Sequence, residues 1–521
     1  MSLSMSIGRK KKKEEPVDTT PRAERADVAL LLEGTFPYVS GGVSSWVNQM
    51  IKGFPDISFA VVFIGSREQD YGEPKYELPP NVVHFERHYL YAPRAAPQIK
   101  TVEGDREMFT IVEEMHRYFR APHAHAEGRS LFQQLAPEMA KGRLNHADFL
   151  YSMRSWEFIA AQYREFSSDP SFVDYFWTIR TMHAPLWVLA EVAANLIPVN
   201  AFHSASTGYA GLLGALLKYR TGKPLIISEH GIYTKERRID LFNAQWIPDN
   251  RVIFQRDPTE IAYFRQAWMR FFEGVGKICY DAADGIIALF EGNRLRQIED
   301  GADPARTSNI PNGIDVERYA AVRANRPVAT PPILALIGRV VPIKDTMTFI
   351  RAMRTVVNRL PEAQGWIIGP EDEDSEYAQE CRNLAVGLGI ADQVKFLGFQ
   401  QLTDVLPQIG VTVLSSISEA LPLVTLEGFA AGVPAVVTDV GACKQLVYGL
   451  DAEDQALGPS GEVVGIADPR ALATAALELL TDKAKWQAAS NAAVRRVETY
   501  YNQEQMFARY RAIYEAHAWQ G

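Results

Sequence analysis

Short apolar runs, each closed by a turn-forming or polar residue, alternate along this chain with stretches whose apolar residues recur at every third or fourth position. The first pattern marks a strand buried on both faces, and the second an amphipathic helix. Residues Asp27 to Glu33 (DVALLLE) are the first such run. The loop Gly34 to Gly42 follows, with Pro37 and the pair Gly41-Gly42; then Val43, Trp46, Val47, Met50 and Ile51 recur at helical spacing. A second run, Phe59 to Ile64, completes the predicted βαβ opening.

The pattern changes between about 102 and 197. Aromatic and apolar residues recur at helical spacing in Phe109 to Phe119, Phe149 to Phe166 and Phe172 to Leu196, with almost no β-branched run. This predicts a helical insertion whose aromatics are chiefly core, the alternatives being an acceptor groove or a partner surface. Alternation then resumes: strands at Val199 to His203, Leu225 to Ser228 and Gly285 to Leu289, helices at Gly208 to Tyr219 and Thr259 to Asp281. The turn Pro311 to Asp315 and the prolines Pro327, Pro331 and Pro332 mark a boundary near 325. Beyond it, strands fit Ile333 to Ile337, Gly365 to Ile368, Val394 to Phe396, Val411 to Leu414 and Ala435 to Thr438. Helices fit Thr346 to Arg359, Ser375 to Gly387, Leu402 to Leu406, Leu423 to Ala431 and Pro469 to Thr481. The expected fold class is α/β: two doubly wound Rossmann-like domains facing across a cleft. The expected division is a disordered basic tail over 1–25, a first domain over 26–325 with the insertion at about 102–197, a second over 326–500, and a closing helix over 501–521 free to return to the first.

Composition narrows the function. At 521 residues the chain exceeds one ordinary core. A net charge of −9 argues against a nucleic-acid binder, whose domains carry a basic excess. Cys279, Cys381 and Cys443 show no paired spacing, so neither a disulfide framework nor a zinc site is indicated, and reduced cytoplasmic thiols are expected. No apolar run reaches the ~20 residues a membrane span needs. The basic run Arg9 to Lys13 is followed by Glu14, Glu15 and Pro16 rather than an apolar segment, so it is not a signal peptide. It reads as a solvated tail, with attraction to the anionic face of an inner membrane as the alternative.

Open α/β sheets bind ligands outside the carboxyl ends of their strands, which directs attention to the loops there. After Ile333 to Ile337 come Gly338, Arg339 and Lys344, two cations on a loop that opens a helix, suited to a diphosphate. After Val411 to Leu414 comes Ser415 to Gly428, in which Pro422 is expected at the first helical position. Glu419 then precedes the helix and Glu427 lies inside it. The N–H groups near Leu423, Val424 and Thr425 are placed for a phosphate, Glu427 for ribose hydroxyls and Glu419 for a sugar. The loops at Gly369 and at Phe399 are candidates for reading a base. In the first domain, Gly41 and Gly42 allow close backbone approach to a ligand. His203 ends a strand, where it would hydrogen-bond a sugar or stabilise developing charge, a structural role being the alternative; Glu229 and His230 follow the next. The acidic run Glu371 to Asp374 reads as a loop and helix start rather than a metal site. No metal is expected, since Arg339 and Lys344 supply the countercharge.

Three features resemble the retaining, GT-B-type glycosyltransferases of family 4: Gly-Arg-x4-Lys-Asp at Gly338 to Asp345, Ser-Glu-x7-Glu at Ser418 to Glu427, and Gly-Val-Pro-Ala-Val at Gly432. They cover most of the second domain. The run Leu32 to Trp46 (LEGTFPYVSGGVSSW), the insertion, and Ser228 to Tyr233 (SEHGIY) resemble the cytosolic glycosyltransferases of Pel-type exopolysaccharide systems over nearly the whole chain. This resemblance implies metal-independent retaining transfer from a UDP-sugar to a growing polysaccharide, beside inner-membrane synthase components. Arg339 and Lys344 would hold the diphosphate, Glu427 the ribose and Glu419 the donor sugar. The Gly41-Gly42 loop would approach the diphosphate, and His203 would lie near the reacting sugar. The alternatives on the same scaffold are an epimerase or phosphorylase, and a non-catalytic UDP-sugar-binding subunit of a membrane synthase.

Overall fold

The computed structural model describes residues 20–92, 102–122, 128–167, 171–244, 246–247 and 261–517. Two parallel sheets organise the chain. The first has seven strands: β1 (Val28–Glu33), β2 (Phe59–Gly65), β3 (Val82–Tyr89), β4 (Ala201–Ser204), β5 (Leu225–Glu229), β6 (Gly285–Ala288) and β7 (Thr307–Asn309). Their order is β3-β2-β1-β4-β5-β6-β7. The second has six: β8 (Ile333–Ile337), β9 (Gln364–Ile368), β10 (Val394–Gly398), β11 (Val411–Leu414), β12 (Ala435–Thr438) and β13 (Gly461–Val464). Their order is β10-β9-β8-β11-β12-β13. Each sheet therefore reverses its winding once, between β1 and β4 and between β8 and β11, and such switch points open a crevice at the strand ends.

The helices of the first half are α1 (Gly42–Gly53), α2 (Arg106–Arg120), α3 (Gly128–Ala140), α4 (His146–Tyr151), α5 (Met153–Phe166), α6 (Phe172–Asn195), α7 (Tyr209–Thr221), α8 (Tyr233–Asn243), α9 (Tyr263–Ala282) and α10 (Glu291–Glu299). Those of the second are α11 (Val316–Ala324), α12 (Thr346–Arg359), α13 (Ser375–Gly387), α14 (Leu402–Val405), α15 (Leu423–Ala430), α16 (Cys443–Tyr448), α17 (Ala452–Gln455), α18 (Pro469–Thr481), α19 (Lys483–Tyr500) and α20 (Gln503–His517). Helices α2 to α6 intervene between β3 and β4 and share one apolar core with α7 and α9. No helix among the described residues is long and apolar enough to cross a membrane.

Three strands escape the periodicity reading: β3, β7 and β13. Order also begins before residue 26. Arg22 forms an antiparallel bridge with His84, and the Ala23 N–H donates to the Val83 carbonyl at 3.0 Å, so residues from Thr20 run along β3 rather than belonging to a disordered tail. The basic run Arg9 to Lys13 lies outside the described residues, as does Thr259, where a helix was expected to start.

The chain crosses between the two sheets twice, and the crossings touch. The Ile314 N–H donates to the Tyr501 carbonyl at 2.7 Å, and the Gln503 N–H donates to the Ile314 carbonyl at 3.0 Å. A Cβ at Gly313 would lie 2.4 Å from the Gln503 Cα, so glycine is what lets the two segments lie together. Beyond the second crossing, α20 packs on the first sheet's side. Met506, Tyr510 and Tyr514 are buried in one cluster with Val28, Leu30, Trp46 and Phe54.

Candidate functional site

The switch point of the second sheet gathers the expected donor-side residues. Asp345 adopts a left-handed conformation (φ 45°) and accepts a hydrogen bond from the Thr348 N–H, capping α12. This tight turn sets Lys344 just before the helix. The loop after β11 braces it: Ser415 Oγ donates to the carbonyls of Lys344 (2.9 Å) and Asp345 (3.0 Å). The result is a half-buried pair, Lys344 Nζ to Glu419 Oε1 at 2.5 Å, with Ser416 Oγ donating to the same carboxylate oxygen at 2.6 Å.

Arg339, on the same β8 loop, stands apart from that pair. Its Nη1 donates to both carboxylate oxygens of Glu373, at 2.5 and 2.6 Å. Of the other acids in that run, Glu371 pairs with Arg382 at 2.6 Å, and Asp374 caps α13 through the Tyr377 N–H. Glu427 lies on α15 and accepts from the Tyr319 hydroxyl at 3.1 Å. Burial raises its pKa despite that hydrogen bond.

Pro422 is the N-cap of α15 and supplies no side-chain capping bond, so it precedes the first helical position rather than occupying it. The N–H of Thr425 donates to the Pro422 carbonyl and is not free for a phosphate; Leu423 and Val424 lead the helix, both partly exposed. Gly369 has φ 149°, and a Cβ there would lie 2.0 Å from the Gly338 carbonyl oxygen. Its N–H donates to the Gly398 carbonyl at 2.9 Å. That N–H therefore does not read a base: Gly369 lets the β9 loop press against the loop that carries Arg339. Phe399 is 74% exposed, a free ring beside the same strand ends.

The first sheet has its own strand-end cavity, of about 550 Å³, lined by residues from the loops after β1 to β5 and by α8 and α9. Glu33, at the end of β1, organises it. One carboxylate oxygen caps α7 through the Tyr209 N–H at 2.6 Å. The other accepts from the Tyr233 hydroxyl at 2.9 Å and lies 3.5 Å from Arg237. Glu236 also lines the cavity; burial, reinforced by the Glu229 and Asp240 carboxylates, pushes its pKa up to about 7. Trp246 and Trp268 add indole walls, in edge contact at 5.6 Å. Gly41 and Gly42 open α1, where a Cβ on either would meet nothing within 4 Å; packing does not demand glycine there, and the backbone faces open space.

His203 does not face this cavity. It is buried in the seam under α20, Nδ1 2.7 Å from the Tyr514 hydroxyl and Nε2 2.8 Å from Ser228 Oγ. Burial pushes its pKa down to about 3. With both ring nitrogens engaged inside the protein, it holds α20 rather than a substrate. Glu229 is likewise internal, accepting from Thr207, Tyr280 and Gln297, and burial raises its pKa. His230 is the histidine that lines the cavity. Its Nε2 is shielded from solvent without a partner, it packs edge-on against Trp46 at 4.5 Å, and burial keeps it neutral, with a pKa of about 3. Sequence reasoning passed over Glu33, Glu236 and Arg237. Glu33 carried a signal, a carboxylate closing an apolar strand, whereas Glu236 and Arg237 sit inside a helix of ordinary charged residues.

Two parallel-sheet domains with charged switch points define a GT-B-type glycosyltransferase architecture. Residues 26–305, more than half of the chain, match the family model described as "Domain of unknown function (DUF3492)", and the chain belongs to that family. Residues 331–482 match the model described as "Glycosyl transferases group 1". A D-inositol 3-phosphate glycosyltransferase 2 of Catenulispora acidiphila is 32% identical over 216 residues, 38% of this chain and 48% of that protein. A D-inositol 3-phosphate glycosyltransferase of Corynebacterium urealyticum is 27% identical over 266 residues, 47% and 59% of the two chains. The chain thus spans about half the length of the curated relatives it matches. Among solved structures, Alr3699/HepE of Anabaena in complex with UDP and glucose aligns with TM-score 0.57 and 14% identity, covering 94% of this chain and 100% of that one. Sucrose-phosphate synthase of Thermosynechococcus elongatus aligns with TM-score 0.55 and 18% identity, covering 94% and 98%. At these identities the likeness is one of fold.

Proposed function

We propose that this chain is a retaining glycosyltransferase that moves a sugar from a UDP-sugar to a growing exopolysaccharide, the role of PelF in Pel-type synthesis. The observation that carries the reading is the set of Arg339, Lys344 and Glu419 at the switch point of the second sheet: two cations for a diphosphate and a carboxylate for sugar hydroxyls, braced by the β11 loop. The group 1 glycosyltransferase match over the same domain supports it, as does the UDP held by the HepE structure of the same fold. The Pel assignment rests on the Leu32 to Trp46 and Ser228 to Tyr233 motifs, and with it the inner-membrane synthase partners and a position at the cytoplasmic face.

In this reading Arg339 and Lys344 exchange their carboxylate partners for the leaving diphosphate, stabilising the charge that develops as the anomeric C–O bond breaks. No metal is needed for that countercharge. Glu427, steadied by Tyr319, holds the ribose, and Glu419 the donor sugar. The acceptor attacks from the side the diphosphate leaves, and the diphosphate takes its proton, so configuration is retained without a separate protein base. The cavity at Glu33, Glu236, Trp246 and Trp268 offers carboxylates and indole walls, a lining suited to a polyhydroxylated acceptor.

The test is calorimetric binding of UDP, ADP and GDP, with Mg²⁺ and with EDTA, followed by a UDP-sugar transfer screen. Selective UDP binding that survives EDTA and is lost in Lys344→Ala is expected. Binding of ADP or GDP alone, or of no nucleotide, overturns the donor assignment.

A further inference from the structure

A second cavity, open on one side to solvent, lies between the helical insertion and α9, apart from both strand-end sites. It has a volume of about 310 Å³ and lies between α2, α5, α6 and α9. Phe119, Phe166, Tyr175, Ile179, Met182 and Phe264 make its walls largely apolar. Its charge is one-sided: Arg117, Arg120 and Arg270 all line it, and no lining residue is acidic, in a chain whose net charge is −9.

Arg120 is the unusual member. Its guanidinium carbon sits 3.2 Å from the centre of the Phe166 ring, and its Nε and Nη1 are buried with no hydrogen-bond partner. Glu165, the acid that acts on it, does so through space and is itself exposed. Beside it the buried His116 leaves Nδ1 without a partner, and burial keeps that ring neutral. Guanidinium N–H groups buried without a partner are costly, and a charge-assisted bond to an anion reduces that cost. With two nitrogens out of water and unpartnered, Arg120 is not a freely solvated surface arginine.

We propose that this chamber binds a small amphipathic anion, its alkyl or aryl body against the aromatic walls and its carboxylate or phosphate head on Arg120, with Arg117 and Arg270 beside it. The volume is near the lower end of small-molecule sites, roughly 300–1,000 Å³, which fits one short chain and not a two-chain membrane lipid. The site is coupled to the cavity at Glu33 by a shared wall. Helix α9 gives Phe264 and Arg270 to the one and Trp268 and Phe272 to the other.

The experiment is calorimetric titration of the full chain with decanoate and with decyl phosphate as monomers, against decanol and decyltrimethylammonium as neutral and cationic controls. Saturable one-to-one binding of the anions is expected, with decanol about tenfold or more weaker; the tighter anion identifies the head group. Arg120→Met, which keeps apolar bulk, loses about tenfold or more for the anions. Ala267→Phe, which fills the chamber from α9, abolishes binding of both. Should Arg120→Met fail to fold, as judged by thermal unfolding, Arg120→Lys and Ala267→Phe give the same reading. Lys344→Ala leaves the anion affinity unchanged, separating this site from the donor site. Equal affinity for decanol and decanoate, unaltered anion binding in the folded Arg120 and Ala267 variants, or no saturable binding overturns the proposal.

Discussion

Arg339 is held by Glu373, so on the proposed reading a donor diphosphate must break that pair before it can use the cation. Both side chains are about half exposed, at 42% and 51%, and an exposed pair of this kind contributes about 0.2–1 kcal/mol. Replacing the acid by an amide of the same shape, Glu373→Gln, removes that competitor. UDP affinity should therefore rise by about 1.4- to 5-fold, and repulsion relieved between Glu373 and the incoming diphosphate acts in the same direction. Both contributions are electrostatic and near the surface, so the gain should shrink at high salt. Titration of wild type and Glu373→Gln with UDP at low and high ionic strength measures it. Arg339→Met in each background completes the cycle and should abolish the gain. Unchanged or weaker UDP binding in Glu373→Gln would refute the reasoning, because Arg339 would then have no part in holding the diphosphate.

Lys344→Ala and Glu419→Ala should each reduce sugar transfer by at least about 100-fold with an unaltered unfolding temperature; wild-type turnover in either removes them from the site. Arg496 is fully buried with Asp454 and donates also to the carbonyls of Val447, Asp454 and Gly458, so Arg496→Met, which strands the carboxylate, should cost about 3–5 kcal/mol by urea unfolding. Acid should destabilise the fold early. His203 and His230 have folded pKa values of about 3 and His183 of about 4, against 6.5 when unfolded. The unfolded chain thus binds the extra protons, and the stability that neutral histidines contribute is complete above pH 6.5 and lost as pH falls toward 4. Glu236, at about 7 against 4.5, opposes by one proton. His116 is depressed by burial in the same direction, and Glu229 and Glu427, raised by burial, add to the opposing side; the unfolded chain remains the larger proton binder by at least about one proton, or about 1.4 kcal/mol per pH unit near pH 5, and a urea midpoint flat from pH 6.5 to 5 would contradict it.

Strands buried on both faces were legible in the chain because their side chains have no polar side to show. All seven residues of β2 are buried, as are all four of β11 and of β12. The missed strands β3, β7 and β13 each close one end of a sheet. An edge strand has one neighbour and a wetter face, so β3 reads VVHFERHY, with His84, Glu86, Arg87 and His88 among its apolar residues; β7 is three residues long. The switch-point loops of the second sheet were legible because their residues follow directly from buried strands. His203 shared that strand-end position, yet its partners Tyr514 and Ser228 lie 311 and 25 residues away. A closing helix was expected to be free to return to the first domain, but no local pattern shows that it lands on His203, and the same distance concealed how Glu33, Tyr233 and Arg237 meet.

The return of α20 sets an order on synthesis. Tyr510 and Tyr514 fill the core beside β1 and α1, which are synthesised before them, and the second sheet and its helices are made in between. At roughly 5–20 residues per second, the nascent first domain waits on the order of ten to forty seconds with Trp46 and Phe54 lacking their last cover. A ribosome stalled anywhere in the second domain therefore presents an unfinished apolar surface. Loss of α20 should be felt first as chaperone capture and aggregation of the first domain, though α20 follows the second domain in the chain.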